Sequence, residues 1–352
     1  MSRGDAPRGA TVTLAQGGGG RAMRALIEEV FLKGACAPAR SLGAFSECVG
    51  LEAQDDGAAL RLGDRWLVVT TDSHVVHPIF FPGGDIGRLA VSGTVNDLAV
   101  MGATDGAALS FGVVVPEGFA RDDLARVQES VREACRESGA AIVTGDTKVM
   151  PRGDLAGLVL HTTGLAFTDR VVRDAGLRPG DRILVSGTLG DHGFAILAAR
   201  GRIELDADLR SDVAPVNGLV RAALAAGGAD VVAMKDPTRG GLASALHEMA
   251  GKSGVGVLLE ENALPLRPAV RAASELLGID PLHVASEGRV VLGVAPERAE
   301  AVLAALRSHP QGRDAALVGT CVAEHVGRIV LDTGFGRRIV TEPEGDLVPR
   351  IC

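Results

Sequence analysis

The first strong period in the chain is helical. Met23, Leu26, Ile27, Val30 and Phe31 fall at i, i+3, i+4, i+7 and i+8, predicting an amphipathic helix over about Arg21 to Lys33. The runs Trp66 to Thr71 (WLVVTT), Phe111 to Val115 (FGVVV) and Ala141 to Thr144 are β-branched and predict three strands. Between the last two, Leu124, Val127, Val131 and Cys135 form one stripe, so a helix is expected from Arg121 to Ser138, stopped by Gly139. Leu155 to Ala166 alternates as a further strand. After a charged joint, Thr168 to Asp181, a second set follows. It comprises strands at Arg182 to Ser186, Val231 to Met234, Val255 to Leu259 and Val290 to Val294. Its helices are expected at His192 to Arg200, Val213 to Ala226, Gly241 to Lys252, Pro268 to Leu277 and Pro296 to His309.

Strands and helices interleave, but several strands are separated only by short turns, so a purely parallel doubly wound sheet is not required. The expected class is α/β with α+β character and one mixed sheet in each half. The length, 352 residues, agrees with two domains. Gly336 to Cys352 has two prolines and no helical period, and reads as an extended tail.

Charge narrows the function classes. Lys and Arg number 36 against 44 Asp and Glu, a net −8, and no apolar run approaches the ~20 residues of a membrane span. Nucleic-acid and membrane partners are therefore not expected. The opening MSRGDAPRGA has no apolar core of a secretory signal, so the expected location is cytoplasmic. Five cysteines, Cys36, Cys48, Cys135, Cys321 and Cys352, form no CxxC pair, which favours reduced thiols.

Several constellations carry candidate chemistry. Gly17, Gly18, Gly19 and Gly20 open a helix and are either a backbone phosphate cradle or a plain turn, since neither common phosphate-loop signature surrounds them. Asp72, Asp97 and Asp146 stand among small residues; together they suit Mg²⁺, and singly each reads as a cap or turn residue, as does Asn96. Thr147 and Lys148 follow Asp146, where a lysine is a point charge for a phosphoryl group or carbonyl oxygen. Asp236 to Gly241 (DPTRGG) offers Thr238, Arg239, Gly240 and Gly241 to a phosphate or makes a tight turn. Glu287, before a strand, is a candidate base, and His192 either a base or a helix-start residue. Cys352 ends a stretch of 17 residues from Gly336, long enough to span up to about 50–60 Å if extended.

The ending PRIC (Pro349 to Cys352), taken in order with TTDSHVVHPIFFPGGDIGRLAVSGTVNDLAVMGA, IVTGDTKVM, LVSGTLGDHG, DPTRGG and ASEGR, closely resembles the HypE family of hydrogenase maturation factors. These belong to the superfamily of aminoimidazole ribonucleotide synthetase, selenophosphate synthetase and thiamine-monophosphate kinase, which bind ATP without a Walker loop. One departure is Gln16 in AQGGGG, where many members look more like HGxGG. The resemblance implies an extension over residues 1–12, an ATP-binding, dimerising domain over 13–167, a C-terminal α/β domain over 168–335 and a flexible tail over 336–352. It implies a homodimer whose N-terminal sheets form a barrel. It further implies that the carbamoyltransferase HypF loads Cys352, that ATP drives dehydration to a thiocyanate, and that the cyano group passes to the HypC–HypD complex on its way to the NiFe hydrogenase iron. In that scheme Asp72, Asp97 and Asp146 hold Mg²⁺; Gly17 to Gly20, Asn96, Thr147, Thr238, Arg239, Gly240 and Gly241 bind the nucleotide; Lys148 and Glu287 act on the carbamoyl group. The competing readings are a kinase or synthetase for a free small molecule, which needs no terminal cysteine, and a non-catalytic nucleotide-sensing scaffold.

Overall fold

Alternation of side chains builds the first sheet around Arg65–His74, which turns Val68, Thr70 and His74 to its buried face. The computed structural model describes residues 11–32, 43, 45–202, 208–343 and 351–352. The order of the six strands is Cys48–Val49, Ala58–Leu62, Arg65–His74, Val159–Thr168, Ala108–Pro116, Ala141–Met150. Only the last two are parallel to each other, so the sheet is mixed. Ala141–Met150 runs past the expected strand end at Thr144, which sets Asp146 inside a strand instead of at its tip.

The helix Ile86–Val100 covers the buried face of this sheet. The Asp85 carboxylate caps it, accepting from the Gly87 and Arg88 amides. No hydrophobic stripe announces this helix because it is buried on every side, including Ser92, Thr94 and Asn96. Arg121–Ser138 packs behind it through Val127 and Val131 and ends at Gly139 with left-handed backbone, as its stripe predicts.

The second half carries a seven-stranded mixed sheet, in the order Val231–Lys235, Val291–Val294, Arg182–Val185, Ala316–Val322, Gly256–Glu260, Ile329–Asp332, Arg337–Val340. Asn217–Gly227 and Pro296–Ser308 cover one face, and Gly241–Ser253 covers the other. The expectation of a mixed sheet in each half holds. Arg337–Val340, expected to begin the tail, pairs antiparallel with Ile329–Asp332 and buries Val340, so any tail starts later. The first helix, Gly20–Leu26 continued by a π-turn over Ile27–Leu32, leaves Val30 and Phe31 exposed, so its apolar stripe does not join the core. Residues 1–10, Cys36 and residues 344–350, including Arg350, lie outside the described residues. Among the described residues no helix is long and apolar enough to cross a membrane.

Candidate active site

The two halves enclose a cavity of about 670 Å³ whose wall is drawn from both. The N-terminal half contributes Gly19, Gly20, Asp55, Asp56, Asp72 and Asp97; the C-terminal half contributes Lys235, Asp236, Thr238, Arg239, Glu287 and Cys352. Strand Arg65–His74 presents Asp72, and the last turn of Ile86–Val100 presents Asp97. Strand Val231–Lys235 delivers Lys235 and the following DPTRGG turn. Gly19 and Gly20 have positive φ, and a side chain on either would press into Arg239 or the Pro343 carbonyl. That backbone cradle therefore admits glycine only.

The floor of the cavity carries more acid than base. Asp97 accepts from Thr70 Oγ1 at 2.8 Å, yet burial and then repulsion from Asp236, Asp56 and Asp72 hold its carboxyl well above the usual range. Burial lifts Asp236 to about 6 against the opposing pull of Lys235. Burial and the charges of Asp236, Asp212 and Asp72 likewise raise Glu287. Lys235 is buried but charged, because its ammonium contacts Asp56, lies 3.3 Å from Glu248 and 3.7 Å from Asp174. The charge at Cys352 and the surrounding carboxylates stabilise the Arg239 guanidinium. Asp56 Oδ2 and Glu287 Oε1 are buried and make no hydrogen bond. Unspent carboxylate oxygens on an over-acidic floor fit a hard divalent cation carrying an anionic ligand.

The structure brings part of the expected set of residues together. Asp72, Asp97, Gly19, Gly20, Thr238, Arg239, Glu287 and Cys352 come together at the cavity. Gly240 and Gly241 do not line it; their positive φ turns the chain into the helix Gly241–Ser253, Gly241 lying against the Leu282 and Val284 carbonyls. Gly17 and Gly18 precede the cradle without lining the cavity, and Gln16 caps the short turn there, accepting from the Thr13 amide at 2.9 Å. The Asn96 amide is fully engaged by backbone: it donates to the Ala214 and Glu287 carbonyls and accepts from the Val216 amide, so it ties the central helix to the second half.

Asp146, Thr147 and Lys148 stand apart. They lie on the exposed edge strand Ala141–Met150, three places along the sheet from Asp72's strand, and do not line the cavity of their own chain. Among the described residues no three His, Cys, Asp or Glu side chains of one chain form a metal-binding group. Sequence reasoning passed over Asp55, Asp56 and Lys235; the pair of aspartates before strand Ala58–Leu62 was the available signal. The described cysteines are unpaired as disulfides, and burial pushes the Cys321 thiol up to about 12.

Comparison with known proteins bears on this geometry. The AIR synthase related protein N-terminal domain matches residues 54–167 and the corresponding C-terminal domain residues 178–332. The chain is 46% identical to the carbamoyl dehydratase HypE of Azotobacter vinelandii, with 100% of both chains covered. It is 43% identical to that of Escherichia coli K12, covering 97% of this chain and 99% of the relative. HypE in a HypE–HypF complex matches with a TM-score of 0.82 at 40% identity, covering 91% of this chain and 100% of that one. HypE in complex with ATP matches at 0.78 and 41% identity, covering 97% and 100%. With full-length identity at this level and both domain models matched around the cavity, the chain belongs to the HypE family of carbamoyl dehydratases, which act in hydrogenase maturation.

Proposed function

We propose that this chain uses ATP to dehydrate a carbamoyl group carried on its own Cys352 to a thiocyanate, supplying cyanide ligands for a NiFe hydrogenase iron. The observation that carries this reading is the seat of Cys352 near Arg239 in the cavity that Glu287 also lines, where a group on its sulfur would find a base and a cation in one chamber. The ATP complex of a relative supports the nucleotide, and the HypE–HypF complex supports a HypF-type carbamoyltransferase as the loading partner. The HypC–HypD complex would accept the cyano group.

A carbamoyl oxygen leaves poorly, so it takes the γ-phosphoryl group of ATP and departs as phosphate. The nitrogen loses both protons, one as the oxygen is phosphorylated and one as the C≡N bond closes. Glu287, a stronger base for its burial, accepts a proton; Arg239 and the Gly19–Gly20 cradle hold phosphate charge. Mg²⁺ would rest on Asp72 and Asp97 with Asp146 from a second subunit, and when bound it neutralises triphosphate charge.

The second subunit is part of the proposal. Strand Ala141–Met150 is exposed almost throughout, with Val143 64% and Val149 63% accessible, and among the described residues no strand pairs with its outer edge. Such an edge is covered when two copies close their sheets into a barrel. Pairing would bring Asp146, Thr147 and Lys148 toward the neighbour's cavity, where Lys148 steadies the oxygen to be phosphorylated. Mass spectrometry of Cys352 after incubation with the carbamoyltransferase tests the reading. The expected result is a carbamoyl gain that loses one water on addition of ATP. A loaded Cys352 that never loses water, or loading at another cysteine, would overturn it.

A further inference from the structure

The most deeply buried imidazole near the cavity has no part in the chemistry above. His192 opens the helix Asp191–Ala199 and is 0% exposed. Its Nε2 lies 2.7 Å from the Ile351 carbonyl oxygen and its Nδ1 lies 2.8 Å from Ser211 Oγ. A carbonyl only accepts, so Nε2 carries the proton and Nδ1 accepts from the Ser211 hydroxyl. Ser211 Oγ in turn accepts from the Val213 amide at 3.0 Å, which leaves its hydroxyl hydrogen for His192. The relay runs one way, from Val213 through Ser211 and His192 to Ile351, and fixes the tautomer that faces the tail. Phe81 packs edge-on against the ring at 5.4 Å, and burial keeps the imidazole neutral.

The side chain beside that carbonyl is equally well received. Ile351 is 4% exposed and packs in the cluster that holds Phe194, Val284 and Ala285. A side chain on Gly193, the next residue after His192, would come within 3.0 Å of Ile351 Cδ1 and press on Val284. Helix start and tail are thus fitted to each other at one residue. Cys352, one position further, is only half-buried and opens on the cavity.

We infer that His192 and the apolar recess at Gly193 form a socket for Ile351, and that this socket sets the register in which Cys352 meets the cavity. His192 is a positioning residue. Because the grip is on the neighbouring residue, it is the same for the free, carbamoylated and cyanated forms, which dock in one register. The part concerning loaded forms rests on the dehydratase reading; docking of the unmodified tail does not.

The test uses the full chain. Alkylation of Cys352 by iodoacetamide, read at that residue by mass spectrometry, reports how often the tail leaves its seat. His192→Leu removes the donor and should speed alkylation about 3- to 10-fold, the equivalent of one lost hydrogen bond, with ATP affinity unchanged. His192→Gln keeps a donor near the Nε2 position and should restore most of the protection. Ile351→Asp leaves the body of the protein intact and should speed alkylation at least about 10-fold, since a carboxylate is not accepted in an apolar recess. Wild-type alkylation rates in Ile351→Asp, or in a folded His192→Leu, would overturn the socket. Loss of protection in His192→Gln equal to that in His192→Leu would overturn the hydrogen-bond role. With Cys352 already carbamoylated, His192→Leu should lower the single-turnover rate of water loss, again with ATP affinity unchanged. If the wild type loses no water while the alkylation pattern holds, the dehydratase reading fails and the socket stands.

Discussion

Asp97 and Asp146 are the same side chain offered for the same task, yet one chain places them in opposite settings. Asp97 sits in the inter-domain cavity, its carboxyl pushed up by burial and by three neighbouring aspartates. Asp146 lies on a solvent-facing edge strand with no share in that cavity. The contrast teaches that a single chain holds a site short of part of its expected equipment, together with an uncovered strand carrying the missing residues. Both facts have one explanation if the edge strand serves a neighbour.

Complementation is the strongest way to break that comparison. Asp97→Asn and Asp146→Asn should each lose about 10²- to 10⁴-fold in ATP-driven water loss from carbamoylated Cys352. If the two aspartates act across a subunit boundary, mixing and re-annealing the two inactive proteins rebuilds one complete site in each mixed dimer and recovers roughly a quarter of wild-type turnover. No recovery, with mixed dimers verified by native mass spectrometry, would assign both residues to one chain or to none.

A charge on the exposed edge sharpens the same point. Val143→Lys should leave the fold and its melting temperature close to wild type, since Val143 touches little in its own chain, while sedimentation shifts from dimer to monomer at micromolar concentration. A wild-type dimer in that variant would remove the strand from the interface.

The smallest effect concerns the cavity side alone. Lifting the Asp236 carboxyl from its usual 3.8 to about 6 makes ionising it in the folded protein cost about 3 kcal/mol at most. A raised carboxyl binds its proton more tightly folded than unfolded, so its contribution is present below about pH 4 and is lost as pH rises through 6. Thermal melts of the ligand-free protein from pH 4 to 7 should therefore fall less steeply in Asp236→Asn than in wild type. Identical slopes would mean that Lys235 already neutralises Asp236.

What the sequence made legible follows from local pattern. The helix Arg121–Ser138 was readable because one face is wet, and Pro268–Leu277 because proline and glycine bracket it. Ile86–Val100 was not, because burial on all sides erases the period on which such reading depends. Arg337–Val340 reads as tail in the sequence because an edge strand with two arginines facing water has only one buried residue to show. The site divides similarly. Motifs single out Asp72, Arg239 and Glu287, which line the cavity, whereas Lys235 owes its place to three acids that meet it only after folding. Asn96 was expected at the nucleotide, but spends its amide on the Ala214, Val216 and Glu287 backbone.

The helix Ile86–Val100 belongs to no single half. Ile86 and Leu89 pack with Phe194, Leu98 packs with Val68 and Ala166, and Ala99 and Val100 pack with Leu184 and Val220. Swinging the halves apart would uncover it at roughly 1.5–3 kcal/mol for each large side chain exposed. This enzyme is therefore built as a fixed reaction vessel without a jaw. On the reading proposed above, it is Ile351 and Cys352 that come to this vessel, a substrate carried by the protein that converts it.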